Sequence, residues 1–220
     1  MEQSTPQSHL CLALDVTDRA RAEALVQATE DFVGVYKIGL EFAMAGGLAF
    51  AKELAGAGRS VFLDMKLLDI ANTVAGAVRS ASALGITYLT VHAYPQAITA
   101  AVAARPAGLS IVAVTVLTSL DDEDLEQTGY AMPANELVHW RIEQAAALGA
   151  NAIVCAPSEA AAAKLSGLTV ITPGVRLATD AAGDQKRVAK RLCVRLAQDR
   201  ACQWAGSASR AARPEAMSSR

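Results

Sequence analysis

Cysteine is scarce in this 220-residue chain, and the four present, Cys11, Cys155, Cys193 and Cys202, fall at none of the spacings of a metal site. Nor are they dense enough for a disulfide scaffold, and two of them sit inside apolar, strand-like runs. A reducing cytoplasm is the expected setting. No uninterrupted apolar run is long enough to span a bilayer, so no membrane partner is expected. The opening residues, MEQSTPQSH, are polar and lack the hydrophobic core of a secretion signal. Excess charge is missing too: the formal net charge is -2, which excludes a general nucleic-acid binder. That balance hides an asymmetry, because residues 186–220 carry nine Lys or Arg against two acids and leave the rest distinctly acidic.

What the chain does have is apolar mass, with 52% hydrophobic residues, enough for one large core. Short continuous apolar runs alternate with Ala-rich helical stretches about every 25 residues. Strands are expected at 10–15, 33–38, 61–64, 86–91, 110–116, 152–155 and 168–171. Helices are expected at 18–28, 41–57, 72–84, 95–104, 135–148 and 158–165, with a polar segment running to Gly129. Buried rather than alternating strands predict a parallel sheet, closed into a barrel or left open and doubly wound. The polar residues decide between these: Asp15, Lys37, Asp64, Lys66, His92, Thr118 and Arg176 all fall at or just past strand ends. A (β/α)8 barrel gathers those ends at one mouth, where its active sites are built.

The chain is arranged around SVFLDMKLLDIANT, residues 60–73. Three apolar strand residues give way to Asp64, Lys66 and Asp69, and charges in such surroundings need partners. Asp64 and Lys66 are two apart, which on a strand puts them on one face, whereas Asp69 lies past the strand end. Spacing alone fits either a polar cavity or an ordinary salt-bridged strand end. His92 reads as a satisfied core histidine rather than a catalyst.

Taken together, LALD with Asp15, YKIG with Lys37, DMKLLDIANT, VHA at 91–93, VTVLTS at 114–119, TPGVR at 172–176 and AGDQKR at 182–187 resemble the orotidine 5'-monophosphate decarboxylases, in the bacterial type 1 form. The likeness spans roughly residues 10–188. It implies loss of CO2 from orotidine 5'-monophosphate to give UMP, with no metal and no organic cofactor. It also implies a homodimer with shared sites. By this resemblance Lys37, Asp64 and Lys66 form an alternating charge network with Lys66 as proton donor, completed by Asp69 from a second subunit. Asp15 and Lys37 hold ribose hydroxyls, Thr73 approaches from the partner, and Thr118, with Ser119, meets the pyrimidine edge. Arg176 binds phosphate, and 177–185 forms a lid whose Gln185 bridges phosphate and base.

Two departures stand out. Ala71 replaces a proline common in the family, a small change at a helix start. After Val188 the likeness stops, so the chain divides into a barrel domain, 1–188, and a basic tail, 189–220. The tail has no apolar strand run, and 189–204 suggest a basic helix, which leaves the eighth strand and helix degenerate or missing. A local reading-frame shift and a divergent native tail both account for it. Two other functions stay open: a sugar-phosphate decarboxylase of the same superfamily, which would need magnesium, and an impaired barrel acting as a binding protein.

Overall fold

The computed structural model describes residues 9–175 and 201–205. Eight parallel strands close into a barrel in sequential order: β1 (Leu10–Ala13), β2 (Val35–Ile38), β3 (Ser60–Leu67), β4 (Tyr88–His92), β5 (Ser110–Val114), β6 (Ala152–Val154), β7 (Thr169–Val175) and β8 (Ala201–Ala205). The helices that cover them are α1 (Arg19–Thr29), α2 (Leu40–Phe42), α3 (Leu48–Gly56), α4 (Ala71–Ser82), α5 (Pro95–Ala104), α6 (Asp122–Gln127), α7 (Ala134–Ala147) and α8 (Ala160–Leu165). The expected barrel of eight parallel strands is therefore present, with helices following β1 to β6 among the described residues. Among the described residues no helix is long and apolar enough to cross a membrane.

Two cores stabilise it. The larger packs outward-facing strand residues such as Leu12, Leu63, Leu89 and Ile111 against the helices. The smaller is a single layer drawn from around the barrel, Cys11, Val35, Phe62, Val112, Ala152 and Ile171, with Tyr88 and Val154 against it. Phe62 and Tyr88 meet edge to face within it, 6.0 Å between ring centroids. Side chains two apart on a strand share a face. The next inward positions after Val35, Phe62 and Tyr88 are Lys37, Asp64 and Thr90, all buried. An apolar floor thus lies one layer below a polar layer, on the side of the strand C-terminal ends.

Three local readings need correction. The helix expected over 41–57 is broken: a π-helical turn, Ala43–Gly47, separates α2 from α3. Gly46 there takes φ +97°, a left-handed conformation that glycine adopts without the Cβ penalty of other residues. The polar segment after β5 contains α6, which shows no apolar periodicity because Leu125 is its one buried residue. Its start is fixed instead by a reciprocal cap, in which Asp121 accepts the Asp124 N–H and Asp124 accepts the Asp121 N–H.

The third concerns the tail. The eighth strand, expected to be degenerate or missing, is present as five residues, and the basic helix expected over 189–204 does not include 201–204. β8 pairs with β7 through Cys202↔Ile171 and with β1 through Cys11↔Trp204. The physical reason is backbone pairing: an open barrel would leave two rows of unpaired N–H and C=O groups on β1 and β7. ACQWA satisfies them without the branched apolar run that marks a strand in sequence.

Candidate active site

At the C-terminal mouth, four side chains from three neighbouring strands and their ends form a line of alternating charge. Lys37 Nζ on β2 lies 2.9 Å from Asp15 Oδ1, just past β1, and 3.7 Å from Asp64 Oδ2 on β3. Lys66 Nζ lies 2.9 Å from the same Asp64 oxygen. The middle pair is buried, with side chains 6% and 7% exposed, whereas Lys66 and Asp15 are 30% and 38% exposed. Any ligand entering the mouth therefore meets the two ends of the chain, and the buried centre holds them in place. Removing one partner from a buried pair typically costs about 3–5 kcal/mol, so Lys37 and Asp64 depend on each other.

The sequence reading brought Asp64 and Lys66 together on one face of a regular strand, and the structure joins them by a different route. The β3–β4 register shifts between Leu63 and Leu67. Lys66 has φ +50°, the one non-glycine residue at positive φ among the described residues. Such a conformation costs on the order of 1–3 kcal/mol and persists where surroundings over-determine it. Thr90 does so. Its hydroxyl accepts the Lys66 backbone N–H at 2.8 Å and donates to Asp64 Oδ1 at 3.0 Å. One fully buried oxygen thus fixes the bulge and the carboxylate together. Thr90 was not singled out in the sequence, because threonine is common in strands. Its place two residues before His92 in YLTVH, facing inward, was the available signal.

Close packing also explains Gly39. A Cβ built there would lie 3.0 Å from Lys37 Nζ and 3.3 Å from Asp15 Oδ1, so a side chain would press on the pair.

The other candidates are distributed differently. Asp69 is exposed past the strand end, and its carboxylate accepts the Ile70 N–H at 2.6 Å instead of joining Lys66. Thr73 is exposed in the first turn of α4, which begins at Ala71, the position of the replaced proline. Neither meets the charged line within this chain. Thr118 lies in the part-buried turn after β5. Arg176, the lid 177–185 and Gln185 lie outside the described residues.

His92, at the end of β4, is half-buried and packs edge to face on Tyr94. Burial pushes its pKa below the ordinary value of 6.5, and the positive charges of Lys66 and then Arg141 push the same way, against a smaller opposing effect of Asp64. The unfolded chain therefore takes up this proton first as pH falls. Stability linked to His92 is complete above about pH 6.5 and is lost as pH drops from there toward the lowered folded value. Urea unfolding should show wild type losing stability relative to His92→Gln only below about pH 6.5. Parallel curves for the two proteins across that range would contradict the assignment.

Known proteins are similar to this chain over most of its length. An orotidine 5'-phosphate decarboxylase of Methylorubrum populi is 55% identical over 191 residues, covering 85% of this chain and 82% of the relative. That of Afipia carboxidovorans is 51% identical over 189 residues, covering 84% and 80%. Among solved structures, an orotidine 5'-phosphate decarboxylase from Lactobacillus acidophilus superposes with TM-score 0.69 at 30% identity, covering 76% of this chain and 81% of that one. Residues 8–201, from just before the first strand to the first residue of the eighth, match the orotidine 5'-phosphate decarboxylase / HUMPS family, and this chain belongs to it.

Proposed function

We propose that this protein decarboxylates orotidine 5'-monophosphate to UMP and CO2, the last step in the synthesis of UMP. The observation that carries the reading is the line Asp15–Lys37–Asp64–Lys66, which ends in an ammonium at the open mouth. In the reaction the bond from C6 of the pyrimidine to its carboxylate breaks. The electron pair stays on C6 and CO2 departs. A cation fixed beside C6 stabilises that charge as it forms, and stabilisation specific to the transition state is what raises the rate. Lys66 then gives a proton to C6 and recovers one from water. Asp64 holds the Lys66 ammonium and stands beside the departing carboxylate. Repulsion there raises the ground state and adds to the stabilisation of the carbanion.

The rest of the nucleotide is assigned by chemistry. Asp15 and Lys37 take the ribose hydroxyls, Thr118 the pyrimidine edge, and Arg176 and Gln185 the phosphate, which suits a guanidinium fork. Asp69 and Thr73 serve the site of a second copy in a homodimer. Leu68 and Ile70, exposed on either side of Asp69, supply apolar surface for that contact. The chain's four cysteines, Cys11 and Cys155 among them buried, are too few for a disulfide scaffold and fit a reducing cytoplasm.

Thr90 acts on this chemistry without touching substrate. Thr90→Val keeps the shape but strips both hydrogen bonds, leaving a part-buried N–H and a buried carboxylate oxygen unsatisfied. Stability should fall by about 1–3 kcal/mol, and kcat by about tenfold or more as Lys66 loses its place. Thr90→Ser should retain most of both. Equal kcat in the valine variant and wild type would remove Thr90 from the account.

The reaction itself is tested by following absorbance of orotidine 5'-monophosphate with purified protein, with and without EDTA. Turnover unaffected by EDTA is expected. Because the family also contains HUMPS members, a sugar phosphate with magnesium is the second arm. Turnover in that arm alone would overturn the proposal.

A further inference from the structure

Segment 116–129 leaves the mouth after β5, carries Thr118 and α6, and returns to α7. Many of its bonds are internal, including the reciprocal cap at Asp121 and Asp124 and the Leu120 N–H to Leu117 carbonyl bond of 3.0 Å. At its neck one guanidinium bonds both ends. Arg141 on α7 donates from Nη1 to the Thr115 carbonyl and from Nη2 to the Tyr130 hydroxyl, the latter at 2.9 Å. The same guanidinium lies 5.0 Å from the ring centroid of Tyr94 and 5.4 Å from that of Tyr130. The two tyrosine hydroxyls are hydrogen-bonded to each other. Tyr94 lies two residues past β4, so a single side chain ties together the ends of β4 and β5, the returning segment and α7.

This arrangement is costly. Arg141 is 7% exposed, and among the described residues no carboxylate pairs with it. A buried guanidinium that meets no carboxylate among the described residues is retained at the expense of desolvation, offset here by a carbonyl, a hydroxyl and two aromatic faces. An apolar residue of similar volume would satisfy packing alone. What only a planar, forked donor supplies is a fixed separation between the segment's two ends.

We propose that Arg141 is a positioning residue that sets where segment 116–129, and Thr118 with it, stands at the mouth. The inference rests on the reading of Thr118 as a pyrimidine contact. It assigns Arg141 no contact with substrate. Its effect belongs to nucleotide binding, through the geometry of a segment whose closure would otherwise be left to the chain.

Two measurements on the full chain test it: amide hydrogen exchange without ligand, and titration with UMP. Arg141→Met should speed exchange within 116–129 while the amides of β2 and β3 keep their protection, and should weaken UMP binding about tenfold. In a Thr118→Ala background the same substitution should weaken UMP binding little further. Tyr130→Phe, which removes one anchor and leaves the core intact, should act in the same direction more weakly, and carries the test if Arg141→Met does not fold. Unchanged exchange in 116–129 in both variants would overturn the proposal. So would a loss of affinity from Arg141→Met that is undiminished beside Thr118→Ala. Wild-type UMP affinity in Thr118→Ala alone would instead refute the reading of Thr118, and the exchange data would still decide whether Arg141 holds the segment.

Discussion

Lys66→Ala is expected to lower the rate of decarboxylation by about four orders of magnitude or more, combining the loss of a proton donor with the loss of charge stabilisation at C6. UMP binding should change far less, because the product carries no charge at C6. Folding should also survive. Lys66 is the open end of the charged line, and Asp64 keeps Lys37 at 3.7 Å and the Thr90 hydroxyl at 3.0 Å. Alanine retains a Cβ at positive φ, so the backbone strain persists, and the Thr90 bond to the backbone N–H that holds it also persists. Turnover above a few per cent of wild type, in a variant with an unchanged melting curve, would show that another group protonates C6.

Mixing two inactive proteins should restore activity. Asp69 accepts its own neighbour's N–H and does not reach Lys66 in this chain, while Leu68 and Ile70 expose apolar surface beside it. In a two-fold dimer each site would then take Lys66 from one chain and Asp69 from the other. A heterodimer of Asp69→Ala and Lys66→Ala chains holds one doubly damaged site and one intact site. Random exchange of equal amounts makes half the dimers mixed, so roughly one quarter of wild-type activity is expected. Each parent protein alone should be inactive. Heterodimers demonstrated by mass but without activity would place Asp69 outside the site.

Much of this site was legible because charge in an apolar run is conspicuous and strand geometry has a period of two. Lys37, Asp64 and Lys66 stand out in YKIG and FLDMK by type alone. The line joining them was not legible in full. It depends on a bulge at Lys66, and nothing in a side chain announces its own positive φ. Thr90 was hidden by being an ordinary strand residue, although its two bonds over-determine that bulge. Arg141 was hidden for the opposite reason, since an arginine on a helix reads as solvated even where, as here, it falls in the buried stripe with Leu137, Val138 and Ala145. β8 escaped notice because its pairing comes from its position between β7 and β1, which closure of the barrel supplies and local propensity does not.

The central claim is spatial: the Lys66 ammonium, held by Asp64, stands at the pyrimidine carbon that loses CO2. A crystal structure with UMP bound measures this directly. The account predicts Lys66 Nζ within about 3.5 Å of C6, the ribose hydroxyls against Asp15 and Lys37, and the pyrimidine edge against Thr118. A nucleotide bound with its C6 turned away from Lys66, or seated beyond reach of the charged line, would contradict it.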